Sequence, residues 1–543
     1  MLSLLALLLV RAAFAGPRNV LFLFEDDGGF SLGAYGDTKI PTPNLDKLAS
    51  KGTVLDNFFT SVSSCSPSRA SLLTGLPTHQ NGQFGLLNSN FFSFDGVLSL
   101  PSYLNTHALK TGIIGKYHVW SGGAQSNAYN FTWGNSPSGP GGCWAGASIS
   151  CPATDYNFVS RNITNMKRGA AEFFTWAGAS PFFLYIGFGD SHRCGGADVG
   201  AFCELYGIDP ATKRSTIPDW VPFQPDPAEV QLPFWIQDTP VARTDYANMY
   251  TAKNRMDQGV GLILAQLEAS GRASDTLVIY TADNGAPFAA GKTNLYTPGM
   301  GEPCIISAPG APAGGRRTSA LASQLDLFPT ILDWLGLPLP KYRLNGVEVE
   351  YQGRSLLPLL LSGAQAPPPA PLPHAQVLTA AAMAARVAGA AALKASPPPV
   401  PTGTYTRVFG SFQFHEQQEY FPMRVCIASD DASGAPSYRY KLIYNLAHYL
   451  PYPIASDLWA APSMQDLLNR TREGQPTHWY RNFSTYLLQR PQWELYDLLA
   501  DPQELSNEAS NPAFAGVLAA LAADIKAWQN ITHDDWCIKY IHE

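Results

Sequence analysis

The sequence predicts an α/β protein: a large, mostly parallel central sheet flanked by helices, followed by a smaller C-terminal α+β subdomain. Three observations predict it. Four apolar, β-branched or aromatic runs read as buried strands: "NVLFLFEDD" (19–27), "TGIIGKYHV" (111–119), "PFFLYIGFGDSH" (181–192) and "DTLVIYTADNG" (275–285). Helix-like segments alternate with them, at 43–51, 66–75, 100–107 and 245–269, and that alternation builds parallel sheets. All four runs end in polar residues. Open α/β sheets bind ligands at the carboxyl edge of their strands, so these four polar clusters are expected to converge on one site.

The rest of the chain is organised around that body. Residues 1–15 hold a short apolar core ending in Ala13-Phe14-Ala15 and read as a cleaved signal peptide, although no lysine or arginine precedes the core. The run is too short to span a bilayer. Residues 16–362 carry the four strand ends and form the expected catalytic domain. In 363–403, "APPPAPLP" and "SPPPVP" bracket an alanine-rich stretch, a composition that packs no core and reads as a disordered surface insertion. Residues 404–543 make the C-terminal subdomain, with "YRYKLIYNL" (438–446) and "WELYDLLADPQE" (493–504) as strand and turn and a closing helix over 513–529.

Bulk composition narrows the function. The chain has 543 residues, 45% of them hydrophobic, enough for a sizeable core. Charged residues are only 15% and the net charge is −7, which argues against an electrostatically driven nucleic-acid binder. An anionic substrate is still allowed, because a local cationic site can hold it. There is no later transmembrane run and no KDEL-type tail, so a membrane partner is not expected. Sequons at Asn130, Asn162, Asn469, Asn482 and Asn530 agree with the signal peptide on a secretory, glycosylated product. Eight cysteines are too few for a disulfide scaffold, but Cys194 and Cys203 are close enough for a small loop, as are Cys143 and Cys151.

The strand ends carry the chemistry. Asp26 and Asp27 are adjacent carboxylates followed by two glycines, which is ordinary turn chemistry unless a cation lies between the charges. Asp283 and Asn284 end the fourth run. Three carboxylates and one amide oxygen make a hard, all-oxygen site that suits calcium or magnesium and not zinc. Arg69, Lys116, His118, His192 and Lys292 lie at or just beyond strand or helix ends. Singly each reads as a surface charge or a locally satisfied histidine. Jointly they build a pocket for a tetrahedral oxyanion beside a divalent metal. Cys65 starts a helix, where the dipole favours anions, and Arg69 follows four residues later on the same face. The thiol is open to four readings: a structural cysteine, half of a disulfide, a low-pKa nucleophile, or a precursor of another group.

"CSPSRASLLTG" (65–75) resembles the sulfatase signature C-x-P-S-R-x-x-x-L-T-G. Further segments, among them "SHRCG", "RMDQGVGLIL", "TNLYTPG", "FPMR" and "QDLLNRTREGQPTHWY", resemble the N-sulfoglucosamine sulfohydrolase (sulfamidase) branch of that family. Only about 121–155 and the Pro/Ala-rich insertion fall outside the resemblance. It implies the alkaline-phosphatase-like sulfatase fold, with an antiparallel sheet in the C-terminal subdomain. It implies that Cys65 is converted to Cα-formylglycine by a formylglycine-generating enzyme, and that the aldehyde hydrate attacks sulfur. It implies one calcium ion held by Asp26, Asp27, Asp283, Asn284 and the modified residue 65. Arg69 would hold the hydrate, Lys116 and His118 would bind sulfate and orient the hydrate, His192 would protonate the leaving atom, and Lys292 would neutralise sulfate charge. His415 and Glu416, in "FQFHEQQEY", lie near where the branch contacts its sugar. A lysosomal or secreted homodimer acting on a sulfated saccharide is also implied.

Two positions depart from the branch pattern. Its usual His-Asp-Pro-His is here Gly189-Asp190-Ser191-His192, and lysine replaces the usual arginine at position 292. Arginine and lysine are not equivalent at bidentate sites, which bears on substrate geometry. The expected activity is removal of the N-sulfate from terminal N-sulfoglucosamine in heparan-type glycans. The rival readings are an O-sulfatase, a phosphate or phosphonate ester hydrolase, and a sulfated-glycan-binding protein with a dead site. An unconverted Cys65 would favour the last of these.

Overall fold

The computed structural model describes residues 18–121, 128–135, 156–312, 314–362, 407–429, 438–477, 486–487 and 490–534. The signal peptide, the insertion 363–403, Asn482 and the Cys143/Cys151 pair lie outside them.

Eight strands form the main sheet: β1 (Asn19–Glu25), β2 (Thr53–Phe59), β3 (Lys110–Gly115), β4 (Trp133–Asn135), β5 (Phe182–Gly187), β6 (Thr276–Ala282), β7 (Cys304–Ser307) and β8 (Arg316–Ser323). Their order is β4-β3-β5-β1-β6-β7-β2-β8. Only β7 runs against its neighbours, pairing antiparallel with β6 and β2; the other pairings are parallel. β1 sits near the centre and is buried on both faces, which is why its sequence is almost continuously apolar. Val20, Phe22 and Phe24 face one side, against Leu72 and Leu73 of the Cys65–Thr74 helix and Phe328 and Ile331 of the Leu327–Leu335 helix. Leu21 and Leu23 face the other, against Met166 and Phe173 of the Ile163–Ala177 helix and Met256, Val260 and Ile263 of the Pro240–Ala269 helix. The result is a three-layer α/β/α sandwich.

Register sets the position of the site. Gly115 is level with Gly187, Phe24 is level with Gly187, and Glu25 is level with Ala282. The chain therefore leaves β3, β1 and β6 at one edge, and Lys116, Asp26, Asp27, Asp283 and Asn284 emerge together. The expected strands are longer than the observed ones because each polar end turns out of the sheet instead of extending it.

A two-stranded ribbon, β9 (Arg343–Leu344) and β10 (Val347–Glu348), follows the main body. The C-terminal sheet is an antiparallel meander of β11 (Arg407–Phe414), β12 (Tyr420–Ser429), β13 (Tyr438–Asn445) and β14 (Trp493–Asp497). One face is covered by Val517, Leu521 and Ile525 of the Ala515–Ile531 helix. The other, through Phe421, Met423, Val425 and Ile443, merges with Met249, Tyr250 and Phe288 of the α/β body. A buried ion pair between Arg424 and Asp534 ties the chain's last described residue to β12.

Candidate active site

Asp27 sits in the left-handed backbone region (φ 56°) and begins the turn after β1. Gly28 follows because any Cβ there would lie 2.4 Å from Ala282 Cβ. The turn after β6 is equally tight: a Cβ on Gly285 would lie 1.9 Å from the Pro298 carbonyl oxygen. The two turns lock together, with the Asp27 N–H donating to Asp283 Oδ1 at 2.9 Å and Asn284 Nδ2 donating to Asp27 Oδ1 at 2.8 Å.

The Cys65–Thr74 helix points its first residue at these turns. Cys65 Sγ lies 3.7 Å from Asp27 Oδ1 and is 1% exposed. Burial pushes the thiol well above its usual pKa despite Lys116 and Lys292 nearby, the direction opposite to that of a low-pKa nucleophile. One turn on, the fully buried Arg69 clamps two carboxylates. Its Nε and Nη2 reach Asp283 Oδ2 at 2.9 and 2.7 Å, and Nη2 reaches Asp26 Oδ1 at 3.2 Å. Its Nη1 donates to Tyr185 Oη and to the Lys116 carbonyl. Lys116 Nζ spans both oxygens of Asp26 at 2.6 and 2.5 Å. Burial would raise the Asp26 pKa, but Lys116, His192 and Arg69 outweigh it and hold the carboxyl well below its usual range.

The residues fit a metal ion. Ligand atoms of Asp26, Cys65 and Asp283 lie within 4.8 Å of one another, as do those of Asp27, Cys65 and His192. Asn284 Oδ1 is buried and has no hydrogen-bond partner, an acceptor left over where a metal would be coordinated. Burial pushes Asp283 up against the pull of Arg69, the behaviour of a carboxylate short of positive charge.

Lys292 explains one departure from the branch pattern. Its fully buried ammonium reaches three acceptors: Asp27 Oδ2 at 3.0 Å, Asp457 Oδ2 at 2.8 Å and His192 Nε2 at 3.0 Å. A lysine has three donors, and this geometry uses each. Burial alone would lower its pKa, but Asp27 and Asp457 raise it and prevail. His192 donates Nδ1–H to the Arg193 carbonyl at 2.6 Å, which leaves Nε2 to accept from Lys292. The second departure lies in the His192 loop. Asp190 accepts from Arg255 at 2.8 and 2.9 Å and from Arg161, and all three side chains are buried. Arg193 is held by Asp245 in a bidentate pair, and Cys194–Cys203 is a disulfide.

A Sulfatase family model matches residues 18–337. The chain belongs to the sulfatase family. Human N-sulphoglucosamine sulphohydrolase is 41% identical to this sulfatase over 536 residues, 98% of this chain and 93% of the relative. An ulvan-active sulfatase of Formosa agariphila is 23% identical, over 95% of this chain and 75% of its own. A solved 2-O GAG sulfatase superposes with a TM-score of 0.58 at 20% identity, covering 96% of this chain and 93% of that one. A phosphonate monoester hydrolase of Agrobacterium radiobacter does so at 0.57 and 18%, covering 95% and 96%. At those identities the two structures speak for the fold alone.

Nine of the residues singled out in the sequence meet in this one contact network: Asp26, Asp27, Cys65, Arg69, Lys116, His192, Asp283, Asn284 and Lys292. His118 adjoins it, with Nε2 3.3 Å from Asn88 Oδ1 and a buried Nδ1 that has no partner. His415 packs beside Cys65 through a 2.9 Å bond between its Nδ1 and Ser64 Oγ, and burial pushes its pKa down to about 3. The Glu416 carboxylate turns to Ser456 Oγ at 3.1 Å. Of the sequons, Asn130, Asn469 and Asn530 are exposed, while half-buried Asn162 caps the Ile163–Ala177 helix. Asp457, Asp190, Arg161 and Arg255 were not found from sequence. Of these, Arg255 opens the family-like segment "RMDQGVGLIL", Asp190 entered only as part of the Gly189-Asp190-Ser191-His192 departure, and Asp457 and Arg161 left no trace.

Proposed function

We propose that this sulfatase removes the N-sulfate from terminal N-sulfoglucosamine in heparan-type glycans, as a lysosomal or secreted glycoprotein. The observation that carries the substrate reading is the 41% identity, over nearly the whole of both chains, to a relative named for N-sulphoglucosamine. Every catalytic-type position at the converging strand ends is filled, which speaks against a dead binding protein.

Cys65, converted to formylglycine, would supply the oxygen nucleophile through its aldehyde hydrate. A calcium ion held by Asp26, Asp27, Asp283 and Asn284 would polarise the sulfate oxygens and the nucleophile. The other residues bind, orient and move protons. Arg69 fixes Asp26 and Asp283 relative to each other and keeps residue 65 at the head of its helix. Lys116 and Lys292 place two buried ammonium groups where a sulfate would otherwise meet only carboxylates. His118, held neutral by burial and by Lys116, has an idle Nδ1 available to orient an oxygen. His192, steered by the Arg193 carbonyl, turns Nε2 into the site, and its imidazolium form, with the second proton on Nε2, would protonate the leaving atom. His415 and Glu416 lie on the C-terminal sheet's side of the site and are assigned to the sugar.

The test is direct. Protein made in a secretory host is digested with trypsin, and the mass of the peptide carrying residue 65 is measured. Sulfate release is then compared on N-sulfoglucosamine and on O-sulfated glucosamines. An aldehyde at residue 65 with release from the N-sulfate is the expected result. A persistent thiol, in a host that converts a control sulfatase, would overturn the mechanism. Release from O-sulfates alone would overturn the substrate assignment.

A further inference from the structure

Asp457 is a half-buried carboxylate that the sulfatase signature does not account for. It comes from the short Ser456–Trp459 helix, far along the chain from the metal-type residues. Oδ1 accepts from the neighbouring Leu458 N–H at 2.9 Å, which turns Oδ2 into the site. There Oδ2 is 2.8 Å from Lys292 Nζ and 3.7 Å from His192 Nε2, and the side chain is 13% exposed. His192 Nε2 is the atom assigned to the leaving group. Asp457 therefore sits on the leaving-group side, with negative charge.

The sign of that charge discriminates between substrate classes. When a sulfamate, R–NH–SO3⁻, is cleaved, nitrogen gains the Nε2 proton of His192 in its imidazolium form, which is left as the neutral ring that accepts from Lys292. The N–S bond then breaks with its electron pair left on nitrogen, and sulfur takes the attacking oxygen. Nitrogen is cationic as the bond breaks, and the released amine takes a second proton to become an ammonium. When a sulfate ester is cleaved, the leaving oxygen goes from developing negative charge to a neutral alcohol. The Lys292 ammonium lies 3.0 Å from the same Nε2 and alone would oppose the first and favour the second; the carboxylate at 3.7 Å offsets it and shifts the balance toward the first.

We propose that Asp457 is the specificity-determining residue that recognises the leaving nitrogen and favours N-sulfated over O-sulfated sugars. The assignment rests on the N-sulfate reading above, and its test is separable from that reading. Inhibition by glucosamine, by glucose (its neutral counterpart with a hydroxyl at the same carbon) and by inorganic sulfate is measured on the converted wild-type enzyme and on Asp457→Asn and Asp457→Glu. Turnover is followed on N-sulfoglucosamine and on an aryl sulfate. In the wild type, glucosamine should inhibit about tenfold more strongly than glucose, the scale of a hydrogen bond to a charged group. Asp457→Asn should erase that preference and lower kcat/KM on N-sulfoglucosamine about tenfold more than it lowers aryl sulfate turnover or sulfate affinity. Asp457→Glu should restore part of the preference. Equal inhibition by the two sugars in the wild type overturns the proposal without need of any variant. An equal loss of sulfate affinity in Asp457→Asn also overturns it, because Asp457 would then act through Lys292. A wild type that cleaves only the aryl sulfate refutes the N-sulfate reading, while the two sugars still report on Asp457.

Discussion

Replacing Asp190 with asparagine tests whether the loop carrying His192 is held by charge. One carboxylate serves two guanidiniums here. Oδ2 accepts from Arg255 Nε at 2.8 Å, and Oδ1 accepts from Arg255 Nη2 at 2.9 Å and from Arg161 Nη1, with no side chain more than 2% exposed. An amide keeps a single acceptor oxygen and turns N–H donors toward guanidinium donors, so at least one contact becomes repulsive and two buried cations lose their counter-charge. Breaking a buried pair in this way costs about 3–5 kcal/mol. That is a large share of the roughly 5–15 kcal/mol that separates folded from unfolded domains. Asp238→Asn is the control. Asp238 pairs with Arg243, but their side chains are 55% and 27% exposed, and its loss should cost less than about 1 kcal/mol. Both variants are unfolded in guanidinium chloride with tryptophan fluorescence as the readout. Activity provides a second signal, because Arg161 also donates to the His192 carbonyl at 3.0 Å, so Asp190→Asn should lower kcat more than it raises KM. Equal costs for the two variants would refute the reasoning.

Further outcomes are expected for the metal, for pH and for the backbone. Chelation should abolish sulfate release and lower the thermal midpoint. Asn284→Ala should weaken calcium rebinding, followed by calorimetry, by about tenfold or more; unchanged affinity would exclude the amide oxygen as a ligand. Burial pushes the His79 pKa from 6.5 down to about 4. Between those values the unfolded chain binds a proton that the folded chain refuses, so the stability is complete above pH 6.5 and falls as pH drops toward 4. At pH 5 that residue should cost about 2 kcal/mol, and His79→Gln should flatten the slope of unfolding free energy between pH 7 and pH 5. Gly285→Ala should sharply reduce the yield of secreted, folded protein, since its Cβ would strike the Pro298 backbone. Gly516→Ala, which meets nothing within 4 Å, should be neutral or better.

The four strands that build the site were legible in the sequence because burial on both faces leaves an uninterrupted apolar signal that ends abruptly where the chain turns toward solvent or ligand. β2 was not, because "TVLDNFF" carries Asp56 and Asn57 inside it. Both are buried, Asp56 paired through Oδ1 with Arg317 and Asn57 donating to the Ser319 carbonyl, partners some 260 residues away that no local pattern reveals. β7 was equally hidden, being four residues long and reversed between two strands it does not adjoin in sequence. The metal-type residues and cations were legible from their places at strand ends. Asp457 was not, because a single aspartate in a four-residue helix has no periodicity, and its role depends on how the C-terminal sheet docks on the body. The lysine at 292 looked like a loss of bidentate geometry. With three acceptors around one ammonium, the structure shows why lysine serves there.

Cys65 is almost wholly enclosed in the finished molecule, and Ser64, just before it, is bonded to His415 of the late-forming C-terminal sheet. An enzyme that oxidises residue 65 cannot reach it once that sheet has docked. The opportunity is a matter of time: at roughly 5–20 residues per second, the chain between Cys65 and Arg407 takes on the order of half a minute to synthesise. On the proposed conversion of residue 65, maturation would be a race between a modifying enzyme and the ribosome. Slowing elongation should raise the converted fraction, whereas variants that hasten docking of the last strands should yield well-folded, stable and inert protein.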